Sequence, residues 1–160
     1  MRRRLLLGAA ATLAGCGFEL RRPPEMAFQT IQLTGFGPRS PLAAELKMNI
    51  DATPATRVVE AAKDAQVVLQ ALGEVREKVV VAQTSSNQIR EFELRYRFSF
   101  RVRSAAGKDL VPESEIVQKR SLTYSETIAL AKEQEEAYLY KTMQTDIVAQ
   151  VSRRLASVHL

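Results

Sequence analysis

Thirteen consecutive residues, Glu91 to Arg103, keep a strict two-residue period. Phe92, Leu94, Tyr96, Phe98, Phe100 and Val102 take one parity; Glu91, Glu93, Arg95, Arg97, Ser99, Arg101 and Arg103 take the other. Side chains alternate between the two faces of a strand, whereas a helix would scatter these aromatics around its circumference. The segment is therefore a long strand with one buried and one wet face, and an apolar partner layer must cover the buried one.

The remaining elements supply that layer. The final segment carries Leu139, Met143, Ile147, Val151 and Leu155 in steps of four, the stripe of an amphipathic helix. Thr123 with Glu126 fits a capping box, with Ser125 as a competing cap. Glu126, Glu133, Glu135 and Glu136 crowd its first half and Arg153 and Arg154 its end, an order that suits the helix dipole. Ser40-Pro41 reads as an N-cap followed by proline at the first helical position, and Leu42, Leu46 and Ile50 make Ser40 to Asp51 a second helix.

Phe28 to Thr34 is a short strand, closed by the turn Gly35-Phe36-Gly37-Pro38. Val67, Leu69, Ala71, Gly73 and Val75 alternate with mostly polar residues in a strand from about Gln66, which Val79-Val80-Val81 can extend. Thr84-Ser85-Ser86-Asn87 and Ala106-Gly107-Lys108-Asp109 are loops. A further strand falls within Glu115 to Tyr124, while Val58 to Lys63 fits either a short strand or an irregular connection. The expected fold is α+β: a two-layer sandwich with two helices on one face of a four-stranded, mostly antiparallel sheet.

The N-terminus is of another kind. Arg2-Arg3-Arg4, an apolar run from Leu5 to Leu13 and the small-residue site Leu13-Ala14-Gly15-Cys16 make a secretory signal. The run is too short for a membrane-spanning helix, which needs about 20 residues. Cys16 is the only cysteine and sits at the cleavage point, in a sequence that resembles a bacterial lipobox. The resemblance implies a diacylglyceryl thioether on the Cys16 sulfur, cleavage before it and acylation of its amine. Two or more chains hold a protein at a membrane stably where one does not. The alternative is an ordinary signal with a chance cysteine, although an unpaired thiol suits an exported protein poorly. Gly17 stands where the enterobacterial pattern would place an aspartate for inner-membrane retention, which favours the outer membrane. Pro23-Pro24 then reads as an extended tether. The chain divides into a signal peptide (1–15), a lipidated N-terminus and tether (16–25) and one domain (26–160).

Charge excludes little by itself. Without the signal's three arginines, 20 basic residues face 18 acidic ones, a net charge of +2 in place of +5. Any argument for an anionic partner must be local. Catalysis is hard to build. The single histidine, His159, lies at the C-terminus, where fraying is common. The sole thiol is expected to carry lipid, zinc ligands are missing in number, and there is no phosphate-cradling glycine loop. The chain reads as a non-enzyme with no cofactor beyond the lipid on Cys16.

The best local charge feature is the ladder Arg95, Arg97, Arg101 and Arg103, whose alternate members stand about 6.6–7 Å apart on one face. Arginine forks suit phosphates. A solvated face balanced by Glu91, Glu93 and acids on neighbouring strands is the blander reading, and the pattern alone favours it. An RNA-binding sheet would expose its aromatics, and here they share the buried parity, so nucleic acid is not expected. Lys132 reads as a surface lysine pairing with Glu136 four residues on.

Taken together, Cys16-Gly17-Phe18-Glu19-Leu20-Arg21, Arg90-Glu91-Phe92-Glu93-Leu94-Arg95-Tyr96, Ala129-Leu130-Ala131-Lys132-Glu133 with Glu136, and Arg153-Arg154-Leu155 resemble the lipopolysaccharide-assembly lipoprotein family LptE. The resemblance runs over most of the chain after the signal. It implies two helices on a four-stranded sheet, an outer-membrane lipid anchor, and a complex with the β-barrel translocon LptD, which the lipoprotein plugs and helps to assemble. It also implies binding of lipopolysaccharide, for which Lys132, Arg90, Arg95 and Arg97 are the candidate contacts. Lys132 matches the family's contact lysine. The family's basic residue in the loop before the long strand has no clean counterpart, because Thr84-Ser85-Ser86-Asn87-Gln88 holds no base before Arg90.

Overall fold

A computed structural model of the chain describes residues 25–160. The signal peptide, Cys16 and most of the tether lie outside the described residues. Five strands and two helices run in the order β1 (Thr30–Thr34), α1 (Pro41–Asp51), β2 (Arg57–Val59), β3 (Val67–Gln83), β4 (Ile89–Ser104), β5 (Asp109–Thr123) and α2 (Ala129–Ala156). Single 3-10 turns at Ala62–Asp64 and Glu126–Ile128 complete the path.

The α+β class stands, with both helices sharing one core against the sheet. The sheet itself departs from expectation. It has five strands in the order β2-β1-β3-β4-β5, with β1 parallel to both β2 and β3 and the other two pairings antiparallel. The extra strand is the stretch around Val58. It is three residues long, too short to show a period, and tertiary contacts create it. The Arg57 N–H donates to the Gln29 carbonyl at 3.0 Å, and the buried Thr56 hydroxyl donates to the Phe28 carbonyl at 2.9 Å. On the other side the Asp51 carboxylate accepts the Val58 N–H at 2.8 Å.

Helix α1 starts as its sequence dictates. Ser40 Oγ accepts the Ala43 N–H at 3.2 Å and Pro41 opens the first turn, so Leu42, Leu46 and Ile50 reach the core fully buried. Helix α2 buries Met143, Ile147, Val148, Val151 and Leu155. Its start differs from the expected capping box. Glu126 belongs to the 3-10 turn, Ser125 Oγ pairs with Thr127 Oγ1 at 2.9 Å, and no side chain caps the helix. The first turn of α2 consequently contains Lys132 and no acid.

Strand β4 alternates as its sequence requires, with Leu94, Tyr96, Phe98, Phe100 and Val102 completely buried. Phe98 stacks with Phe100 and Phe36 at 5.3 and 5.8 Å between ring centres. Strand β3 does not keep one parity. A register shift between Ala71 and Gly73 inserts one residue, so Leu69 and Ala71 oppose Val102 and Phe100, but Glu74, Arg76 and Lys78 oppose Phe98, Tyr96 and Leu94. Directly opposed residues share a face. Beyond the bulge, β3 therefore turns charged residues toward the helices and Val75 toward the open face.

Candidate functional site

Two groups of polar residues could carry function: a seam between the sheet and α2, and the end of the sheet where β4 begins and α2 starts.

The seam follows from the bulge. Glu74, delivered to the inner face, accepts the Tyr96 hydroxyl at 2.6 Å and the Ser40 hydroxyl at 2.8 Å. Arg76 donates to Tyr96 Oη at 3.1 Å and to Gln144 Oε1 at 2.9 Å, and its guanidinium lies 4.5 Å from the centre of the Tyr96 ring. Gln144 Nε2 continues the chain to the Glu45 carboxylate, which also accepts the Thr145 hydroxyl at 2.7 Å. The hydroxyl of Tyr140 donates to the Glu77 carbonyl at 2.7 Å. Burial pushes the Tyr96 hydroxyl well above the usual tyrosine range, and donation to Glu74 raises it further while Arg76 opposes. Tyr140 is raised as well, by burial first and then by Glu136. These tyrosines hold their protons, and their acceptors are satisfied from within the fold, so the seam joins α1, β3, β4 and α2. An open groove of about 420 Å³ lies beside it, lined by Phe36, Pro41, Ala71, Glu74 and Arg76 among others.

The second group gathers at the other end of β3. Arg90 stands exposed at the start of β4, and its carbonyl accepts the Tyr124 N–H at 2.8 Å. Lys132 Nζ, on the first turn of α2, donates to Thr123 Oγ1 at 3.0 Å and to Glu135 at 2.7 Å. Thr123 and Tyr124 are adjacent, so Arg90 and Lys132 belong to one corner of the domain. Exposed aliphatic side chains accompany them: Val80 and Val81 at the end of β3, Ile128 and Leu130 at the start of α2. The corner thus offers cations beside apolar surface. The partner expected for Lys132 is corrected. Glu136 is taken by Lys78 at 2.6 Å, whose ammonium also lies 4.3 Å from the centre of the Phe92 ring, and Lys132 turns to Glu135 instead. The side chain of Lys132 is only 14 % exposed, so it is not the free surface lysine that its sequence suggests.

The four candidate contacts do not form one site. Arg95 and Arg97 lie on the open face of the sheet, away from the helix layer, and each is engaged. Arg95 donates to Glu93 within β4, and Arg97 donates to Glu77 on β3 at 2.7 Å. Arg101 donates to Gln70 at 2.8 Å and Arg103 to Asp109 at 2.9 Å. Donation from Arg95 holds the Glu93 carboxyl below the usual range, Lys119 adding to it. The ladder is therefore a charge-balanced face and not a row of free guanidinium forks. The loop Thr84–Gln88 closes on itself, with the Thr84 N–H donating to the Gln88 carbonyl at 2.9 Å. Among the described residues no three His, Cys, Asp or Glu side chains cluster as metal ligands, and no helix is long and apolar enough to cross a membrane.

Sequence reasoning missed the seam. Gly73 was its one signal, since glycine within a strand marks a bulge or a close backbone approach.

Comparison with known proteins agrees with this architecture. A family model described as "LptE: Lipopolysaccharide-assembly" matches residues 28–155. The solution structure of an uncharacterized lipoprotein B from Nitrosomonas europaea is similar, with 31% identity, a TM-score of 0.76, and coverage of 88% of this chain and 91% of that one. A minor lipoprotein from Acinetobacter baumannii shares the fold at 19% identity and a TM-score of 0.67, covering 83% of this chain and 94% of that one. A rare lipoprotein B from Shewanella oneidensis does so at 21% identity and a TM-score of 0.63, covering 79% and 90%. Comparison with curated proteins gives no match.

Proposed function

Because the chain belongs to the lipopolysaccharide-assembly family LptE, we propose that it is an outer-membrane lipoprotein, anchored through lipid on Cys16, that plugs and supports an LptD-like β-barrel and binds lipopolysaccharide on its way to the outer leaflet. The role is structural and needs no catalysis.

The observation that carries the lipopolysaccharide part is the corner where exposed Arg90 stands beside Val80, Val81, Ile128 and Leu130, with the largely covered Lys132 behind them, so that a phosphate reaching Lys132 would displace Glu135 from it. Lipopolysaccharide presents phosphates beside acyl chains, so a ligand of that kind needs cations next to apolar surface. Charge-assisted bonds to phosphate are the strong ones. The open sheet face suits a different partner. Three of its four arginines are already paired with Glu93, Glu77 and Asp109 and the fourth, Arg101, is held by Gln70, which leaves a polar, largely charge-balanced surface of the kind that a polar barrel lumen accepts. In this reading Arg95 and Arg97 face the barrel, and Arg90 and Lys132 face the glycolipid.

The test is a pair of double substitutions in the full lipidated chain, Arg90→Glu with Lys132→Glu and Arg95→Glu with Arg97→Glu, each first checked for an unchanged denaturation midpoint. Loss of two charge-assisted contacts should weaken lipopolysaccharide binding roughly tenfold or more for the first pair. The second pair should keep that affinity and reduce co-isolation with the barrel. Unchanged lipopolysaccharide affinity in the first pair removes the corner as the contact. Absence of any barrel from detergent extracts of outer membranes would favour a general amphiphile-binding lipoprotein instead.

A further inference from the structure

We infer that Glu135 is an internal stand-in for a ligand phosphate at Lys132, and that Lys78 is a positioning residue that keeps a second carboxylate, Glu136, from taking the same place. The inference rests on the reading that this corner meets lipopolysaccharide, and it names what sets the strength of that contact.

Lys132 has two acids within reach along its own helix. Residues three and four positions on are its neighbours on the helix surface, and these are Glu135 and Glu136. Glu135 takes it, at 2.7 Å, with Thr123 Oγ1 at 3.0 Å as the second acceptor. Lys132 stands on the first turn of α2, where the helix dipole disfavours a cation, and an anion at Nζ offsets that cost. Within the single chain Glu135 supplies the anion.

The two acids are held with different firmness. The side chain of Glu136 is 23% exposed and meets Lys78 at 2.6 Å, and the Lys78 ammonium is itself anchored over the Phe92 ring. Glu135 is 45% exposed and bridges a single helical turn. An ion pair that exposed is weak and screened by salt, so a phosphate can take the place of the carboxylate. An ammonium carries three donors, so Thr123 can keep its bond during the exchange. With Glu136 also on Lys132, an arriving phosphate would meet two carboxylates in place of one. Lys78 prevents this by drawing Glu136 to the β3 side of the helix.

The experiment titrates the full lipidated chain in detergent with lipopolysaccharide and, in parallel, with lipopolysaccharide stripped of its phosphates. Glu135→Gln should bind the intact ligand roughly two- to fivefold tighter, the weight of one partly exposed ion pair. Lys132→Gln should bind more weakly, and adding Glu135→Gln to it should bring no gain, which separates displacement from a general loss of negative charge. Lys78→Gln should weaken binding by a similar factor. Glu136→Gln added to Lys78→Gln should return the wild-type affinity, whereas Glu133→Gln added to it, with the same net charge, should not. These differences should vanish with the phosphate-free ligand. A gain in affinity cannot come from a misfolded chain, and the return shows that Lys78→Gln folds. Glu135→Gln that binds as wild type, that gains equally beside Lys132→Gln, or that gains with the phosphate-free ligand overturns the inference. A loss in Lys78→Gln that Glu136→Gln does not restore, or that Glu133→Gln restores equally, overturns the positioning role of Lys78. Wild-type affinity in Lys132→Gln removes the corner as the contact, and the inference with it. Weaker binding in Lys132→Gln without any gain in Glu135→Gln removes the inference alone.

Discussion

Tyr96 donates its hydroxyl to Glu74 at 2.6 Å from a ring that is otherwise wholly inside the core. The bond exists because the bulge before Gly73 carries Glu74 to the helix side of the sheet, one rung from Tyr96. Its consequence is alkaline sensitivity. The hydroxyl is raised in the folded state, so the folded chain keeps a proton that the unfolded chain releases from about pH 10. Stability from this group is fully present below that pH and falls as pH rises toward the folded value, by up to about 1.4 kcal/mol per pH unit. Tyr140 acts in the same direction. Tyr96→Phe should cost about 1–3 kcal/mol at neutral pH, through the acceptor left short at Glu74. It should also flatten the decline above pH 10. Urea denaturation at pH 7 and pH 10.5 checks both.

Gly35 ends β1 with φ 79°. A Cβ at this position would collide with the Ala71 carbonyl of β3, a backbone atom that cannot rotate away. Left-handed strain and the collision act together, so Gly35→Ala should lose more than about 2 kcal/mol. Gly107 has a similar φ of 82° but opens to free space, so Gly107→Ala should lose only the conformational part. Denaturation midpoints of the two variants separate the contributions.

The same bulge marks where the sequence stopped being legible. Strand β4 and the stripe of α2 could be read because their periods run unbroken over many residues. Helix α1 could be read because Ser40 and Pro41 are local signals. In β3 the apolar residues Val67, Leu69, Ala71 and Val75 keep one parity on paper, yet the inserted residue sends Val75 to the open face and Glu74 inward. Strand β2 was ambiguous for another reason, since three residues carry no period and their pairing with β1 lies 27 positions away, Thr30 against Arg57. The partner of Lys132 depended on Lys78, which reaches Glu136 across 58 positions. Of the candidate site, the adjacency of Arg90 and Lys132 and the pairing of Arg97 with Glu77 were invisible until the ladder register was fixed, whereas Glu93, the partner of Arg95, was already legible as a balancing acid on the same face.

Asp51 ties the end of α1 to β2 and makes a prediction for acid. Burial works to raise its carboxyl, but the Val58 N–H and the Lys47 ammonium outweigh burial, and the group ends below its usual range. Its stabilisation is present above pH 4 and is lost as pH falls through the lowered folded value. Asp51→Asn keeps an acceptor for Val58 while removing the charge. The variant should therefore lose little at neutral pH and unfold less steeply below pH 4, as followed by circular dichroism across an acid titration.

The two faces of β4 should respond very differently to truncation. Phe98 is fully buried and stacked on Phe36 and Phe100, so Phe98→Ala removes apolar burial and leaves a cavity, at a cost of about 3–5 kcal/mol. Arg97 lies one residue away on the open face, where its side chain is 42% exposed and its ion pair with Glu77 is partly solvated. Exposed pairs contribute about 0–1 kcal/mol and are screened by salt, so Arg97→Ala should change the midpoint little, and less still in high salt. Equal losses from the two variants would mean that the open face is packed against something in the isolated chain, and the two-layer architecture would be wrong. Denaturant melts of both variants in low and high salt decide it.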